Sequence, residues 1–370
     1  MKKLGVIINP IAGIGGRVGL KGSDGIETLR KAREMGSEPL APTRAIQALQ
    51  VIHAIKDEIE TITYPGEMGQ SELCDAGFQP TVIGLIKKGE TTSNDTIKAA
   101  QDMLQAGVDL LLFAGGDGTA RNIYSAVGNQ LPVLGIPAGV KIHSSVYAIN
   151  PRSAGKAAVL FLQDRISRLQ EAEVMDIDES AFRQGRVNAK LYGYLQVPQA
   201  ESYLQNVKSG GYCAAADLNG LAAEIVDKME PDTLYLIGPG TTTRSIMELL
   251  NIPNTLLGID AVMNRQLVAS DANELQLWDL IQDKKVKIVV TPIGGQGHLF
   301  GRGNQQLSPR IIRKAGKENI LIVATKEKLL SFPSCQLLTD TGDPDLDEHL
   351  TGFMKTVTGY GEQTICRVVM

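Results

Sequence analysis

The sequence has 370 residues, of which 43% are hydrophobic and 21% are charged, and its net charge is −4. This length suits two domains, and the acidic balance argues against a general nucleic-acid or membrane-surface role. The four cysteines lack CxxC spacing and so predict neither a zinc site nor a disulfide framework. The short apolar start and the lack of any apolar run of ~18 residues favour a cytoplasmic protein that binds neither membranes nor nucleic acid.

The first 168 residues alternate between apolar strands and helices. Such a pattern predicts a doubly wound α/β domain, a parallel sheet covered by helices on both faces. The strands at 4–8 and 108–114 are expected to be central and buried, because neither shows the polar alternation of an edge strand. The other predicted elements are strands at 61–64, 81–86 and 132–136 and helices at 24–36, 42–60, 95–106 and 118–127.

The pattern changes near residue 170. Strand-like residues 174–178 and 187–197 flank a glycine-containing turn without a crossover helix, which predicts a hairpin. From residue 233 short strands return, interleaved with helices. We therefore expect an N-terminal α/β domain over residues 1–170 and a C-terminal β-rich α+β domain over residues 171–370, with the last strands able to return to the first domain.

Three glycine-rich loops follow predicted strands. They are NPIAGIGGRVGLKG, AGGDGTARN and GPGTTTRS. A loop that leaves a parallel strand and opens a helix presents backbone N–H groups and the positive end of a helix dipole, which favour phosphate. Glycine also marks ordinary turns, so one such loop is weak evidence. Three in one chain predict a nucleotide site and make the first domain nucleotide-binding.

Asp117 stands inside the second loop, where a phosphate site would be expected to exclude acids. It can cap the helix that follows, which is a common role of aspartate. Alternatively, it accepts a proton from an attacking hydroxyl or helps to hold Mg²⁺. A cap does not require glycine on both sides and threonine after it, so the sequence favours the functional role.

The motif GGDGT, with NP…G upstream, resembles the NAD kinase and diacylglycerol kinase superfamily. LYLIGPGTTTRSIMELL resembles the TPTGSTAYSLS loop of NAD kinases, and VVTPIGGQGHLFGRGNQQLSP resembles their segment LTPIxPHxLxxRPxxxP. The sequences of these loops are similar to those of the ATP-NAD kinase-like subgroup, which is akin to acetoin catabolism protein X. The resemblance is collinear from Lys3 to about Gly342, and GGDGT is its one specific motif.

The resemblance implies a NAD kinase-like fold with a nucleotide site in a cleft between two domains, where AGGDGT and GPGTTTR face each other. It implies a phosphotransferase with an alcohol acceptor, which uses ATP and Mg²⁺ to phosphorylate the ribose 2′-hydroxyl of NAD and form NADP. Asp117 takes the place of the acid thought to activate the acceptor hydroxyl. The predicted nucleotide- and phosphate-binding residues are Asn9, Gly13, Gly115, Gly116, Gly118, Thr119, Asn122, Lys141, Gly240, Thr241, Thr242, Thr243 and Arg244.

The chain departs from the family at the residues expected to contact the acceptor. Gln196 stands on the strand where NAD kinases carry an Asn-Glu pair, and Thr243-Arg244 replaces the tyrosine of the TAYS loop. Phosphoryl transfer is therefore better supported than NAD as the acceptor. A kinase for another alcohol, either a metabolite or a lipid, and an inactive nucleotide-binding regulator are the alternatives. The sequence leaves open the metal ligands, the donor (ATP or polyphosphate) and the formation of a homo-oligomer.

Other residues carry weaker signals. Lys141 follows a predicted strand and could approach a phosphate, although a solvated loop lysine is as good an interpretation, and Ser144 or Ser145 could line the site. His143 and His298 could act as bases, but four histidines without paired spacing favour structural roles. Asp176 and Asp178 share one face of a strand and could bind Mg²⁺, although the rim of a hairpin is the simpler interpretation.

Overall fold

The computed structural model describes residues 1–20, 26–177, 189–200, 202–205, 215–255 and 258–370. The chain forms two compact units: residues 1–14 and 22–207 make up the first, and residues 15–21 and 208–370 the second. The start of the helix expected at residue 24, the turn of the hairpin and Asp178 lie outside the described residues. The domain boundary expected at residue 170 stays a prediction.

The first unit contains a five-stranded parallel sheet. Its strands are β1 (Lys2–Ile8), β2 (Ile59–Thr63), β3 (Thr81–Val82), β4 (Leu110–Gly115) and β5 (Val133–Pro137). Their order is β3–β2–β1–β4–β5, so the two strands predicted to be central, β1 and β4, are neighbours inside the sheet. Strand β4 is buried along its whole length. The predicted parallel α/β domain is confirmed.

Six helices in the described ranges accompany this sheet. They are α1 (Ile26–Glu34), α2 (Ala41–Ile52), α3 (Gln70–Asp75), α4 (Ser93–Gln105), α5 (Asp117–Val127) and α6 (Pro151–Leu162). The helix predicted over residues 42–60 is wrong in its second half, since α2 ends at Ile52. Residues from Ile59 onward pair with β1 instead, and this long-range pairing overrides the local helical pattern. The strand predicted over residues 81–86 is reduced to two exposed residues at the sheet edge.

A hairpin follows the parallel sheet in the chain. Its strands β6 (Leu169–Ile177) and β7 (Ala189–Pro198) pair antiparallel within the first unit, which confirms the predicted pairing. Strand β6 is joined to α5 by an ion pair, in which Arg121 Nη1 lies 2.7 Å from Asp176 Oδ2. Asp176, which the sequence suggested as an Mg²⁺ ligand, is thus held by an arginine.

The second unit contains a mixed nine-stranded sheet. Its strands are β8 (Thr233–Ile237), β9 (Asp260–Met263), β10 (Gln266–Ala269), β11 (Lys285–Val290), β12 (His298–Phe300), β13 (Ile320–Val323), β14 (Gln336–Thr339), β15 (Gly352–Gly359) and β16 (Glu362–Val369). They are ordered β10–β9–β8–β11–β13–β15–β16–β14–β12. The last two strands thus lie inside this sheet, and the predicted β-rich C-terminal domain is confirmed.

The helices of the second unit lie between these strands in the chain. They are α7 (Ala215–Asp227), α8 (Thr241–Leu249), α9 (Glu274–Leu280), α10 (Pro309–Ala315), α11 (Lys326–Leu330) and α12 (Pro344–Leu350). Strands β8, β11 and β13 are parallel neighbours, so their carboxyl ends meet at one edge of the sheet. No helix in the described ranges is long and apolar enough to cross a bilayer.

Glu72 in α3 is a buried acid of the first unit. Its side-chain Oε2 is buried and has no hydrogen-bond partner among the described residues. Burial, together with the like charges of Asp75 and Glu67, raises the pKa of Glu72 to about 7. A raised folded-state pKa means that the stability contribution is complete below the unfolded-state value and is lost as the pH rises through about 7.

Glu72→Gln is therefore expected to make the protein less sensitive to alkali. The neutral amide does not ionise, so the variant should exceed wild type at pH ~8.5 by about 2–3 kcal/mol of unfolding free energy, and lose this advantage near pH ~5. Urea unfolding at the two pH values measures the difference. Equal pH dependence in variant and wild type would show that Glu72 does not titrate as its burial requires.

Candidate functional site

Three loops of the first unit meet where β1, β4 and β5 end. The Asn9 backbone N–H donates to the carbonyl of Ala114 at 3.0 Å, which ties the end of β1 to β4. The Gly115 carbonyl accepts from the backbone N–H groups of Ala138 at 2.9 Å and Gly139 at 3.0 Å. Carboxyl ends of neighbouring parallel strands are a common place for ligands in α/β sheets. The loops after β1 and β4, both predicted to bind phosphate, therefore converge with the loop after β5.

Glycine is required where these loops touch. A Cβ added to Gly139 would lie 2.8 Å from the Cα of Gly116, which is closer than real Cβ contacts allow. Gly13 has a φ of +84°, and its added Cβ would lie 2.3 Å from the carbonyl oxygen of Ala138. The first position is a close approach of two backbones, and the second also needs the left-handed conformation that glycine tolerates.

Asp117 occupies the first turn of α5 but does not cap that helix. The N-cap is Gly116, and no side chain makes a capping hydrogen bond there. The carboxylate of Asp117 instead accepts from the backbone N–H groups of His143 at 2.8 Å and Ser144 at 3.0 Å. The capping role considered from the sequence is therefore wrong, because the side chain turns to the loop after β5.

Two side chains complete this arrangement. Ser144 Oγ lies 2.7 Å from Asp117 Oδ1, and His143 Nδ1 lies 3.2 Å from Asp117 Oδ2. Asp117 and His143 are each 5% exposed, and Ser144 is fully buried. Ser144 Oγ also accepts from the Met175 backbone N–H of β6 at 3.0 Å. The loop is thus fastened between α5 and the hairpin, with the Asp117 carboxylate as its main anchor.

The sequence marks His143 as a possible base and Ser144 as a residue that could line the site, but it does not predict that both contact Asp117. Four histidines without paired spacing favour a structural role for His143. The available signal was the segment IPAGVKIHSS, which leaves a strand adjacent to β4 and carries polar side chains. Loops after adjacent parallel strands meet at one edge of the sheet, so this segment had to approach the GGDGT loop.

The other predicted residues of the first unit lie around this cluster. Asn9 Nδ2 donates to Thr119 Oγ1 at 3.0 Å, which links the first loop to α5. Gly118 and Asn122 are half-buried residues of α5, and Lys141 is half-buried in the loop after β5. The structure therefore brings all of these predicted residues to one edge of the sheet or to the helix that begins there.

In the second unit, the loop GPGTTTR connects β8 to α8. Gly240 is the N-cap of α8 with a φ of 135°, and its added Cβ would lie 2.8 Å from Thr291 Cγ2 after β11. Thr243 Oγ1 donates to the Gly240 carbonyl at 3.0 Å. Thr242 and Thr243 are buried, whereas Thr241 is exposed. The loop thus opens a nine-residue helix, as predicted.

Two cations lie near this loop, the predicted Arg244 and a lysine that the sequence did not single out. Arg244 is exposed and pairs with Glu248 one turn further along α8, at 2.7 Å. Lys328 Nζ, by contrast, donates to Thr291 Oγ1 at 2.9 Å. The signal for Lys328 was the segment TKEK after β13, the strand that neighbours β11. A lysine of the second unit thus approaches its glycine-rich loop through Thr291.

Two family models match the chain over both units. The ATP-NAD kinase N-terminal domain matches residues 4–166, and the ATP-NAD kinase C-terminal domain matches residues 231–368. The chain belongs to the ATP-NAD kinase family. The matched ranges include the GGDGT loop, the loop after β5 and the loop before α8. The predicted nucleotide-binding residues of this ATP-NAD kinase family member therefore lie within the matched ranges.

Solved structures resemble this family member only distantly. A diacylglycerol kinase from Bacillus anthracis str. Sterne shares 16% identity over 48% of this chain and 47% of that chain, with a TM-score of 0.24. A UDP-GlcNAc 2-epimerase from Neisseria meningitidis shares 16% identity over 38% of this chain and 33% of that chain, also with a TM-score of 0.24. The chain therefore spans less than half the length of either. No curated protein matches it.

The described side chains of this ATP-NAD kinase family member do not fit a protein-held Mg²⁺. Magnesium needs several oxygen ligands, often carboxylates combined with substrate phosphates. Among the described residues no group of three His, Cys, Asp or Glu side chains could hold a metal. Asp117 is occupied by donors of the loop after β5, and Asp176 by Arg121. Mg²⁺ is consequently considered below only as the counter-ion of ATP.

Proposed function

We propose that this protein is an ATP-dependent kinase that phosphorylates an alcohol group, with the ribose 2′-hydroxyl of NAD or a related nucleotide as the acceptor. Its partners would be MgATP and this small molecule, without nucleic acid or membrane. We place it in the cytoplasm, and self-association into a homo-oligomer belongs to the same hypothesis. Family membership supports the kinase class, and the acceptor is our proposal.

The observation that carries the proposal is the arrangement of Asp117 within the GGDGT loop. A buried acid at the start of α5 accepts hydrogen bonds from the backbone of the loop after β5, in a segment that the family model covers. Glycine backbone and a helix N-terminus are suited to polyphosphate, and an acid beside them is suited to activating an acceptor. We propose that Asn9, Gly13, Lys141 and the 115–122 segment bind nucleotide, together with Thr241, Thr242, Thr243 and Arg244 after Gly240 in the second unit.

The acceptor is the less supported part of the proposal. On β7, Gln196 lies opposite Glu171 of β6, where NAD kinases are expected to carry an Asn-Glu pair. A different alcohol, whether a metabolite or a lipid, is therefore the second candidate, and its phosphorylation would use the same Asp117 loop. That the GGDGT and GPGTTTR loops face each other across a cleft stays a prediction.

A thermal-shift screen tests which nucleotides bind. We expect ATP with Mg²⁺ to stabilise the protein, and NAD or ADP-ribose to do so if the acceptor is a nucleotide. A ligand at a hundredfold excess over its dissociation constant adds about 2.7 kcal/mol to the unfolding free energy. Lys141→Met should weaken stabilisation by ATP, while Lys285→Met, at an exposed position of β11, serves as the matched control. No shift with ATP, NAD, NADP or ADP-ribose would contradict the nucleotide site.

A further inference from the structure

We propose that Cys335 and Cys366 are a redox pair, which a small-molecule disulfide such as oxidised glutathione converts reversibly into an intramolecular disulfide. Both thiols are free in the structure. The proposal concerns the second unit alone and does not depend on the kinase function proposed above. Cysteine spacing in the sequence does not show this pair, because the two residues come together only through the pairing of β14 with β16.

The first observation is the register of β14 and β16. These strands are parallel neighbours, in which Gln336 is the partner of Arg367. Cys335 directly precedes Gln336 and Cys366 directly precedes Arg367, so the same register places the two cysteines side by side. Paired strands lie about 4.8 Å apart, which is within the Cα separation of about 4.4–6.8 Å that a disulfide requires.

The second observation is that both thiols belong to one hydrophobic core. Cys366 is fully buried in the cluster that also contains Leu337 and Val368, and the half-buried Cys335 packs against that cluster. Burial, together with the neighbouring thiol of Cys335, raises the pKa of the Cys366 thiol. Like charges affect a pKa in this way only at short range, in agreement with the register.

The third observation is the backbone of the turn that ends at Cys335. Ser334 has a φ of 52° and Cys335 a φ of 51°, in the left-handed region that residues other than glycine rarely adopt. Such conformations persist where the surrounding structure holds them, and they cluster at functional sites. Here the turn leads into β14 with the thiol of Cys335 against the core that contains Cys366.

The two thiols differ in access, and this difference sets the order of reaction. The thiolate is the form of cysteine that attacks a disulfide. Cys335 is half-buried and can be reached from solvent, whereas Cys366 is 0% exposed and its raised pKa keeps it protonated. Cys335 therefore reacts first with the external disulfide, and Cys366 resolves the product.

The proposed exchange takes place in two steps. The Cys335 thiolate forms a bond to one sulfur of the small disulfide, the bond between the two small sulfurs breaks, and the first small thiolate leaves. Cys366 then loses its proton and attacks the Cys335 sulfur, and the second small thiolate leaves. The two cysteines are oxidised, and the small disulfide is reduced to two thiols that carry the two cysteine protons. Cytosolic disulfides are usually transient, and excess thiol reverses this one.

Mass spectrometry of the folded full-length protein tests the link. Wild type is incubated with oxidised glutathione, its remaining thiols are alkylated under denaturing conditions, and trypsin then cuts after Lys355, between the two cysteines. We expect the peptide of Cys335 to be joined to the peptide of Cys366, two hydrogen atoms lighter than both reduced peptides together, and to be released by dithiothreitol. Oxidised protein in which Cys335 carries only glutathione, or in which Cys366 is alkylated, would overturn the proposal.

Variants test the order of the two steps. Cys366→Ala should trap glutathione on Cys335, whereas Cys335→Ser should leave the buried Cys366 unmodified. The matched control is Cys74→Ser, which removes an exposed cysteine of α3 in the first unit and should leave the link unchanged. A link between Cys366 and another cysteine in Cys335→Ser, or loss of the link in Cys74→Ser, would overturn direct exchange within the pair. If Cys366→Ala does not fold, the wild-type peptides still decide whether the pair forms.

Thermal unfolding tests whether the link fits the native fold. A disulfide with native geometry stabilises a protein chiefly by restricting the unfolded chain, so the Tm of oxidised wild type should exceed that of reduced wild type by roughly 5 °C. Dithiothreitol should remove this difference, and Cys335→Ser should not show it. Linked peptides without a rise in Tm would show that the disulfide distorts the second unit, and would overturn the inference that the fold holds the two thiols ready to join.

Discussion

Asp117→Asn is expected to slow phosphoryl transfer at least ~100-fold and to lower the unfolding free energy by about 2–4 kcal/mol. An asparagine side chain has one acceptor oxygen and one donor group. Its amide N–H would face either the His143 or the Ser144 backbone N–H, both of which now donate to the carboxylate. It would also change the proton distribution of the His143 ring. Turnover and stability should therefore fall together.

This outcome differs from what a capping role would give. Asparagine caps a helix about as well as aspartate, so a cap would tolerate the change in both stability and rate. Asp102→Asn is a suitable control, because Asp102 accepts from the hydroxyl of Tyr64 outside the loop cluster. Urea unfolding and steady-state kinetics measure the two effects. An Asp117→Asn variant with wild-type stability and more than half of wild-type turnover would contradict the anchoring role of Asp117.

Gly139→Ala is expected to have the second-largest effect, although position 139 carries no catalytic group. The new Cβ would lie 2.8 Å from the Cα of Gly116, so the loops after β4 and β5 must separate. Overpacking of this kind typically costs about 1–3 kcal/mol. Separation also moves His143 away from Asp117, and a displacement of ~1 Å can cost about 10²-fold in rate.

Gly220→Ala is the matched control for this variant. Position 220 is in α7 of the second unit, and an added Cβ there would be 3.4 Å from its nearest neighbour, the Tyr360 backbone nitrogen. Alanine in a helix should stabilise by about 0.5–1 kcal/mol and leave turnover unchanged. A Gly139→Ala variant as active and stable as wild type would show that the contact of the two loops is not needed.

The sequence predicted the first unit well where local pattern and tertiary structure agree. Strands β1 and β4 are unbroken apolar segments that end in glycine-rich loops, and both were predicted as central strands. The predicted helix at 42–60 failed because its second half pairs with β1 in the sheet. Pairing between residues ~57 positions apart leaves no mark in a local helical pattern.

The candidate site was only partly predictable, because the residues that form it are far apart in the sequence. The GGDGT motif identifies Asp117, but its partners lie 26 and 27 residues further along the chain. His143 and Ser144 have no spacing that marks them as a pair with Asp117. Only the adjacency of β4 and β5 brings them together. Likewise, the strand order of the second unit, in which β14 lies between β16 and β12, follows from pairings that no single segment encodes.

Transfer of a labelled γ-phosphate from ATP tests the central claim most directly. The protein is incubated with labelled ATP, Mg²⁺ and either NAD, a sugar alcohol or diacylglycerol, and the phosphorylated product is identified. We expect label on one alcohol acceptor, NAD first, with one ADP formed per product, and at least ~100-fold less label with Asp117→Asn. If ATP binds but no acceptor gains label above the enzyme-free level, the protein is not a kinase for these alcohols, and the nucleotide-binding regulator becomes the better account.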